Sequence, residues 1–528
     1  MPDTLFPLLA LLAPLAFLAA AATAPFASTS RARGVRRCTT VASVVALLAA
    51  ATAAVGFALH GSLVSPAIPL VRIGLDTLAP SVRVDGLSAV MLAMIALLAA
   101  VLVRYSHRYL DGDAGQPRFL GWLSATVGSV MLIVLAGDLL VLVAAWIATS
   151  FALHRLLLFY PQRRAAVIAA RKKFLVARAG DALLAMAAVL LTHAFGTTDL
   201  GTIFEGARRM VEAGDAPLGV GLAAMAVVLA AMLKSAQFPT HGWLVEVMET
   251  PTPVSALLHA GILNGGPFLV VRLSDVVVTT PAAMHALVGV GGLTALFASV
   301  VMTTQSRVKV ALGYSSAAHM GFMLLVCGLG AWPAAILHLV AHSFYKAHAF
   351  LSSGSAVEVA RASFVPTDGR PPHPARVAAG VALASALYAG VAALFGLSPW
   401  RDPGALALGA ILVVGLTTLV ARGLDDAPHV EVIGRTLGAA LATTVAFFVL
   451  EGGTAAILDG SVAPVPIASP TTLALGGAVI GAFALATVAL LYVPRLGRSR
   501  LWDAAYVHLR NGLYANALFD RVVGAHRR

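Results

Sequence analysis

Long apolar stretches, each able to cross a bilayer as a helix, recur along this 528-residue chain. A membrane-spanning helix needs about 20 mostly apolar residues. The chain is 59% hydrophobic and only 11% charged, whereas a soluble domain carries roughly 25% charged residues. So few charges cannot cover a large soluble surface. The pattern predicts an all-α polytopic membrane protein whose first partner is the lipid bilayer.

About 15 transmembrane segments are predicted on this basis. They lie near 5–24, 39–60, 84–104, 119–136, 138–159, 174–195, 218–247, 253–273, 284–302, 308–330, 332–359, 375–396, 404–422, 433–456 and 471–493. A basic tail with an amphipathic helix follows at 494–528. We interpret it as an interfacial helix, a docking helix or a frayed end. Its predicted apolar stripe consists of Trp502, Tyr506, Leu509, Leu513 and Leu518.

Basic residues in alternate connections indicate how the chain is oriented. The connections after the first, third and fifth spans carry the basic clusters 31–37, 104–118 and 163–173. The positive-inside rule then predicts a bacterial inner-membrane protein with its N-terminus outside and its tail in the cytoplasm. The same loops account for the net charge of +12, so we expect no nucleic-acid partner. Residues 396–404 fit either a loop or a break within a span, and the break would reverse the side of the tail.

Lys234 stands out near the middle of the apolar run 218–247. Thirty helical residues would measure roughly 45 Å, more than a bilayer core. Pro239 also cannot continue the helical hydrogen-bond ladder. We therefore predict two half-helices with a break near 237–241, which places Lys234 at mid-depth beside freed backbone groups. The alternative is a shorter span whose terminal lysine reaches the membrane interface.

Asp181 is the expected counter-ion of this lysine, because it lies well inside the sixth span. Ionisable residues within a span cost several kcal/mol unless they are paired or hydrated. Arg178, three residues earlier on the same helix, is the competing partner.

His338, His342 and Lys346 are spaced by four and therefore stack on one helix face. Histidine titrates near neutrality and a desolvated lysine can lose its proton, so this row predicts a proton wire. Core histidines bonded to backbone carbonyls are the structural alternative. An HxxxH metal pair would need a third ligand that the sequence does not supply nearby, so we expect no metal.

Further histidines and glutamates extend this set. His319 and His259 are candidate links between the row and Lys234, although a lone histidine is about as often structural. His241, Glu246 and Glu249 are predicted to line the route or to contact a partner.

Motifs of hydrolytic or redox chemistry are not found in the sequence. It contains no nucleophile–base pair at a plausible spacing, no P-loop and no dinucleotide fingerprint. We therefore expect an ion-translocating transporter subunit without catalytic residues of its own, rather than an enzyme.

Three stretches carry a family resemblance: "KSAQFPTHGWLVEVMETPTPVSALLHAG", "QSRVKVALGYSSAAHMGFM" and "LHLVAHSFYKAHAFLSSGS". They resemble the antiporter-like subunits of respiratory complex I and of Mrp cation/proton antiporters, over roughly 80–360. The resemblance implies an antiporter-like fold of two inverted five-helix repeats with broken helices. The implied division is 1–118 for N-terminal helices, 119–273 and 284–422 for the repeats, and 433–493 for C-terminal helices, before the tail.

By resemblance, Lys234 matches the lysine of the broken helix, Asp181 an acidic residue of the preceding helix, and His338, His342 and Lys346 the central row. Two departures are clear. Ile147 stands where these relatives carry a glutamate. No lysine follows residue 346, so Arg401 or Asp402 is the nearest candidate for the second broken helix.

These departures, together with "WIATSFALHRLLLFY", resemble one branch of the family, the DabB-type membrane subunits of inorganic carbon pumps. The resemblance implies a DabA-like, zinc-binding large subunit as partner, related to β-carbonic anhydrases. This chain would then hold no cofactor, and the catalytic zinc would lie in the partner. A cation gradient of H⁺ or Na⁺ would drive CO2 hydration or bicarbonate accumulation.

Two other functions stay open at this point. The first is an antiporter-like subunit of NADH-quinone oxidoreductase or of an Mrp antiporter. The second is a membrane scaffold that conducts nothing, which would leave the intramembrane lysine and aspartate without a purpose.

Overall fold

The computed structural model describes residues 2–24, 32–67, 71–73, 76–78, 80–247, 250–354, 373–396, 403–423, 430–465, 469–492 and 500–523. Nearly all of these residues are helical. The helices are α1 (Pro2–Thr23), α2 (Ala32–His60), α3 (Gly86–Tyr109), α4 (Gln116–Leu135), α5 (Leu139–Leu157), α6 (Arg164–Phe195), α7 (Leu200–Ala213), α8 (Leu218–Lys234), α9 (Gly242–Glu246), α10 (Thr252–Ala260), α11 (Gly265–Arg272), α12 (Ser274–Val277), α13 (Pro281–Met302), α14 (Val308–Gly328), α15 (Trp332–Leu351), α16 (Pro374–Leu394), α17 (Pro403–Gly423), α18 (Val430–Leu458), α19 (Pro470–Tyr492), α20 (Arg500–Arg510) and α21 (Ala515–Val523).

The all-α polytopic membrane fold is confirmed. Among the described residues, 12 helices are long and apolar enough to cross a membrane, or 13 if the bent pair α7–α8 counts as one span. The sequence predicted about 15. Three predicted spans make the difference. Two have a physical reason: α15 is 20 residues long but carries three histidines and a lysine, and α8 stops after 17 residues because the helix breaks. The third, in α17, counts as a shorter apolar helix over Leu408–Ala421.

Two features of the connections were not expected from the sequence. Residues 196–217, interpreted as a loop, contain the amphipathic helix α7, which meets α8 at 117°. The connection between α2 and α3 contains four short strands: β1 (Leu63–Val64), β2 (Val71–Ile73), β3 (Asp76–Leu78) and β4 (Arg83–Val84). Strand β1 pairs antiparallel with β4, and β2 pairs antiparallel with β3. Isolated bridges Val82–Ala136 and Asp138–Asp199 join these connections on one side of the molecule.

A buried ion pair fixes the ends of α3 and α11 on that same side. Asp85 caps the N-terminus of α3 by accepting from the Ser88 amide at 2.8 Å. Its carboxylate also pairs with Arg272 at the end of α11, at 2.5 Å. The Arg272 guanidinium further donates to the Ser88 hydroxyl at 2.7 Å. Both ion-pair partners are at most 1% exposed, so this link is shielded from solvent.

Small residues allow α13 and α14 to pack backbone to backbone. A Cβ on Gly291 would lie 2.6 Å from the Leu325 amide nitrogen, and one on Gly321 would lie 2.6 Å from the Ala295 amide nitrogen. Only glycine permits so close an approach, as is common between membrane helices. The contact places Thr294 of α13 next to the interruption that follows α8.

The tail differs from the single apolar stripe that the sequence predicted. Leu513 and Tyr514 adopt left-handed backbone angles, so the chain turns between α20 and α21. Because of this turn, the stripe is divided: Leu509 packs against the core, whereas Leu513 and Leu518 are exposed. The tail returns to the protein, where the Gln305 side chain donates to the Arg510 carbonyl at 3.2 Å.

Candidate proton pathway

The predicted break is present where α8 ends. Helix α8 stops at Lys234, and no regular helix resumes until α9 begins at Gly242. Ala236, within the interruption, has a φ of +50°, which is uncommon for a residue other than glycine. Lys234 therefore ends a half-helix inside the protein.

Polar groups at the break are bonded within the break itself and to neighbouring segments. The Ser235 hydroxyl donates to the Leu263 carbonyl at 3.0 Å. The Gln237 amide group donates to the Ser235 carbonyl at 2.9 Å. The Phe238 amide donates to the Thr294 hydroxyl at 3.1 Å. Such partners are required, because non-helical backbone at membrane depth is tolerated only where protein or water satisfies it.

The Lys234 ammonium lies over an aromatic ring. Its Nζ is 4.3 Å from the centroid of the Trp146 indole on α5, an arrangement that stabilises a desolvated cation by about 2 kcal/mol. Within the described part of the chain, this nitrogen has no hydrogen-bond partner. Ile147, next to Trp146, is partly buried and packs against the core. This turn of α5 therefore offers Lys234 an aromatic face in place of a carboxylate.

Asp181 is not paired directly with Lys234, and this corrects the expected counter-ion assignment. Its carboxylate forms an ion pair at 2.5 Å with Arg178, the competing partner, because positions i and i+3 face each other on one helix. Lys234 remains one of the charges that act on Asp181 electrostatically, as does Lys173. Asp181 thus lies within one charged cluster with Lys234 but holds a different cation.

Lys172 also belongs to the site, although its place in the basic cluster 163–173 predicted a loop. Helix α6 begins at Arg164, so Lys172 is helical and fully buried. Its Nζ donates to both Glu246 oxygens, at 2.7 and 2.6 Å. It also pairs with Asp520 of α21. Glu246, predicted to line the route or contact a partner, thus joins α6, α9 and the tail.

The neighbouring Lys173 is 4% exposed and faces α5. Its Nζ donates to the Ser150 carbonyl at 2.9 Å and to the Ser150 hydroxyl at 3.1 Å. Lys234, Asp181 and Arg178 act on it electrostatically. A sequence signal for both lysines existed, since no proline or glycine interrupts 164–179 and the helix can extend back to them.

Three histidines form a cluster between α14 and α15. His319 Nδ1 and His338 Nε2 are 2.8 Å apart. The ring centroid of His319 is 5.0 Å from those of both His338 and His342. The two α15 rings are 6.3 Å apart and stacked. His319 is therefore a central member of the row rather than a distant link.

Lys346 and His259 continue the row more deeply. Lys346 Nζ donates to the Ser315 hydroxyl at 2.7 Å. His259 is fully buried, with its ring stacked at 4.3 Å on Phe350. Lys346 acts electrostatically on His259, His319 and His342. In the described part of the chain, no three His, Cys, Asp or Glu side chains converge as a metal site.

A polar contact joins the Lys234 region to α15. Asn264 lies in a short 3-10 turn between α10 and α11, a further interruption that the sequence did not reveal. Its amide group donates to the Ser343 hydroxyl at 2.7 Å. A cavity of ≈ 20 Å³ is lined by Lys234, Asn264, Trp146 and Thr149, among others. A space of that size has room for about one water molecule, although most of its lining is apolar, including Met91, Ile95 and Val130.

A much larger cavity leads from the surface to the histidine cluster. It has a volume of ≈ 730 Å³ and is lined by residues of α14, α15 and the α13–α14 connection, including Ser306, Ala311, Ser315, His319, His338 and His342. The cavity lies beside Gln305, which contacts the tail. The cavity thus extends from the histidine cluster to the α13–α14 connection that the tail contacts.

The remaining candidates divide into two groups. His241 is 1% exposed and lies among aromatic rings, 5.0 Å from Phe297 and 5.7 Å from Phe238 between centroids. Its ring nitrogens have no hydrogen-bond partner among the described residues, and its role in the route or in a partner contact stays a prediction. Glu249, Arg401 and Asp402 lie outside the described residues, and with them the expected second broken helix.

Comparison with known proteins places this arrangement in a family. A family model described as "NADH:quinone oxidoreductase/Mrp antiporter, TM" matches residues 136–365, and one for the N-terminus of complex I chain 5 matches residues 73–120. The probable inorganic carbon transporter subunit DabB2 of Halothiobacillus neapolitanus is 38% identical over 457 residues, which cover 85% of this chain and 81% of that protein. This chain belongs to the DabB family of antiporter-like membrane subunits.

Two further matches agree with that family. The probable inorganic carbon transporter subunit DabB of Hydrogenovibrio crunogenus is 45% identical over 284 residues, which cover 52% of this chain and 53% of that protein. A chain of the Mrp complex from Dietzia sp. superposes with a TM-score of 0.65 at 25% identity, covering 98% of this chain and 60% of that one. The DabB2 match extends well beyond the 136–365 region that characterises the wider family.

Proposed function

We propose that this chain is the proton-conducting membrane subunit that energises inorganic carbon uptake together with a DabA-like, zinc-binding large subunit. The observation that carries the proposal is a series of buried and partly buried titratable groups. It runs from Lys172 and Glu246 through Lys234 to the histidines of α14 and α15, where the ≈ 730 Å³ cavity begins. The name of the relative aligned along most of the chain supports the carbon substrate.

The proposed relay depends on charges that act on one another inside the protein. Lys234 ends a half-helix beside a cavity that can hold water, so it can exchange its proton without leaving the protein. Asp181 acts electrostatically on Lys234, although its carboxylate is paired with Arg178. His319, His338 and His342 lie close enough to exchange protons, directly or through one water. The cation would move between Lys234 and the large cavity.

The orientation and the cofactor follow from the same proposal. The tail and the basic connections would face the cytoplasm, with the N-terminus outside. This chain would hold no cofactor, and the zinc that hydrates CO2 would lie in the partner. H⁺ is the proposed coupling ion, because histidine and lysine relay protons rather than bind Na⁺.

Growth rescue tests this function. The full chain and a DabA-like large subunit are expressed together in a carbonic-anhydrase-deficient bacterium, which is grown in ordinary air. We expect rescue by the wild type and none by Lys234→Ala or Asp181→Ala, each at normal abundance in the membrane. Arg209→Gln is the control, because Arg209 is 80% exposed and surface changes have effects of about 0.5 kcal/mol or less. Absence of rescue with both wild-type proteins in the membrane would refute carbon uptake.

A second candidate function comes from the wider family, a subunit of NADH-quinone oxidoreductase or of an Mrp antiporter. It differs in what the chain assembles with. Purification under mild conditions followed by mass spectrometry of co-purified proteins separates the two, since quinone oxidoreductase or other Mrp subunits in place of a zinc protein would favour this alternative.

A further inference from the structure

The interface between α5, α6 and α8 carries more positive than negative charge. Three basic side chains, Lys173, Arg178 and Lys234, act electrostatically on a single carboxylate, Asp181. That carboxylate is bound directly to Arg178. Lys172 does not add to the excess, because Glu246 and Asp520 neutralise it.

Two buried lysines next to one shared carboxylate cannot both remain charged cheaply. Removing an unpaired charge from water is costly, and like charges close together disfavour each other. Lys173 binds Ser150, and Lys234 lies over Trp146, which is four residues earlier and therefore on the same face of α5. At this separation the two lysines act on each other electrostatically. Protonation of one therefore favours loss of the proton from the other.

The surroundings of Lys173 suit both of its protonation states. As an ammonium, it donates to the Ser150 carbonyl and to the Ser150 hydroxyl. As a neutral amine, it can still donate to the carbonyl while the hydroxyl rotates to donate to its lone pair. Backbone and hydroxyl oxygens do not hold it in the charged form as a dedicated carboxylate would.

Lys173 is next in sequence to a lysine that is bound by carboxylates. Lys172, one residue earlier, binds Glu246 and Asp520 on the tail side of the protein, whereas Lys173 faces α5. Consecutive residues of a helix point about 100° apart. Adjacent lysines of α6 therefore face different surroundings, Lys172 the tail-side carboxylates and Lys173 the cluster around Lys234.

Building on the proposed function, we propose that Lys173 is a second proton-carrying residue that alternates with Lys234. A proton arriving from the Glu246 side binds the neutral Lys173 amine. The new charge expels one proton from the Lys234 ammonium toward the ≈ 20 Å³ cavity and Asn264. One proton is gained and one is lost, so the charge of the cluster is unchanged. The other titratable or charged groups around Lys173 in the described chain are His154 on α5 and Arg178 and Asp181 on α6.

Proton flux across inverted membrane vesicles, followed with a pH-sensitive dye, tests this role in the full chain expressed with its large subunit. We expect Lys173→Met to lower flux by about tenfold or more, because a proton carrier is lost. Lys173→Arg keeps the charge but cannot release a proton, so it should fail as well. Arg171→Gln on the same helix is the matched control. Arg171 is exposed, and its replacement should change flux by about twofold at most.

The pH profile separates proton carrying from a structural role. Without a like charge nearby, Lys234 holds its proton more tightly, so the alkaline limb of the residual flux in Lys173→Met should move to higher pH. Equal loss at every pH, or normal flux in either Lys173 variant at normal abundance, would overturn the inference. Normal flux in Lys234→Met would instead overturn the proposed function, so the two failures are distinguishable. If the Lys173→Met protein does not accumulate, Lys173→Arg alone decides the test. An inactive Lys173→Arg protein supports the proposed role of Lys173, and an active one overturns it.

Discussion

Individual buried charges in this protein serve different purposes. Asp85 and Arg272 pair fully and join two helix ends, whereas Lys234 has only an aromatic face and an electrostatic neighbour. A complete pair holds its partners in one charge state, which suits a structural link. An incompletely paired lysine retains access to its neutral form, which suits a relay.

We therefore expect Arg272→Met to destabilise the fold strongly. The Asp85 carboxylate would remain buried without its cation, which costs about 3–5 kcal/mol. Thermal unfolding of the detergent-solubilised protein measures this as a lower Tm. The control is Arg435→Met. Arg435 is 79% exposed and pairs with Glu431 on the protein surface. Such an i,i+4 pair is worth about 0.3–0.5 kcal/mol. Equal Tm values for the two variants would contradict a stabilising role of the buried Asp85–Arg272 pair.

The sequence predicted residues of this kind unevenly. Lys234, His338, His342 and Lys346 are recognisable because they lie inside long apolar runs. Lys172 and Lys173 are not, since a charged pair after a basic loop resembles an orientation signal until the helix is seen to begin at Arg164. Which cation Asp181 binds is decided by side-chain geometry, which spacing alone left open.

At the scale of elements, the short helix α9 and the tail helix α21 depend on each other. The Asn516 side chain donates to Glu246 at 2.6 Å. It lies so close to α9 that a Cβ on Gly242 would come within 1.8 Å of its side-chain oxygen. Gly242 is thus required for close contact rather than for a special backbone angle. The tail thereby covers the Lys172–Glu246 pair.

Gly242→Ala should displace Asn516 and loosen the tail. We expect faster tryptic cleavage at the exposed Arg510 and Arg521, because the clash breaks the hydrogen bond to Glu246. Gly242→Ala should accelerate cleavage less in a protein that already carries Asn516→Ala, because the clash is then absent. The two substitutions should therefore be coupled by about 0.5–3 kcal/mol.

Gly219→Ala is the matched control for that experiment, since nothing lies within 4 Å of a Cβ at Gly219. Additive effects of Gly242→Ala and Asn516→Ala would mean that the tail does not rest on α9 as described.

At the scale of the whole molecule, the ≈ 730 Å³ cavity and the tail lie on one side. The tail also reaches Lys172 on that side. The Asp85–Arg272 pair and the β1–β4 strands lie with the connections of the opposite side. The titratable row therefore has a wide opening toward the tail and a packed end away from it.

A cysteine at Ala311, in the cavity wall, should react with a membrane-impermeant maleimide. Native Cys38 and Cys327 are replaced first. If the tail is cytoplasmic, the cavity opens to the cytoplasm, and the reagent reaches that face only in inverted vesicles. We therefore expect labelling in inverted vesicles and none in intact cells. A cysteine at Ala317, which is 2% exposed on the same helix, should react only after denaturation. Labelling from outside intact cells would reverse the proposed orientation, and labelling from neither side would contradict an open cavity.

The sequence by itself determined the membrane class, the approximate position of most spans, the break after Lys234 and the row on α15. These properties depend on local hydrophobicity, on proline and on helical spacing, all of which can be read along the chain. Only the tertiary structure decided the Arg178–Asp181 pair, the contact of His319 with the row, the burial of Lys173 against Ser150 and the docking of the tail on Gly242. Each of these joins side chains on different elements or selects between neighbours, and such contacts depend on how the helices pack.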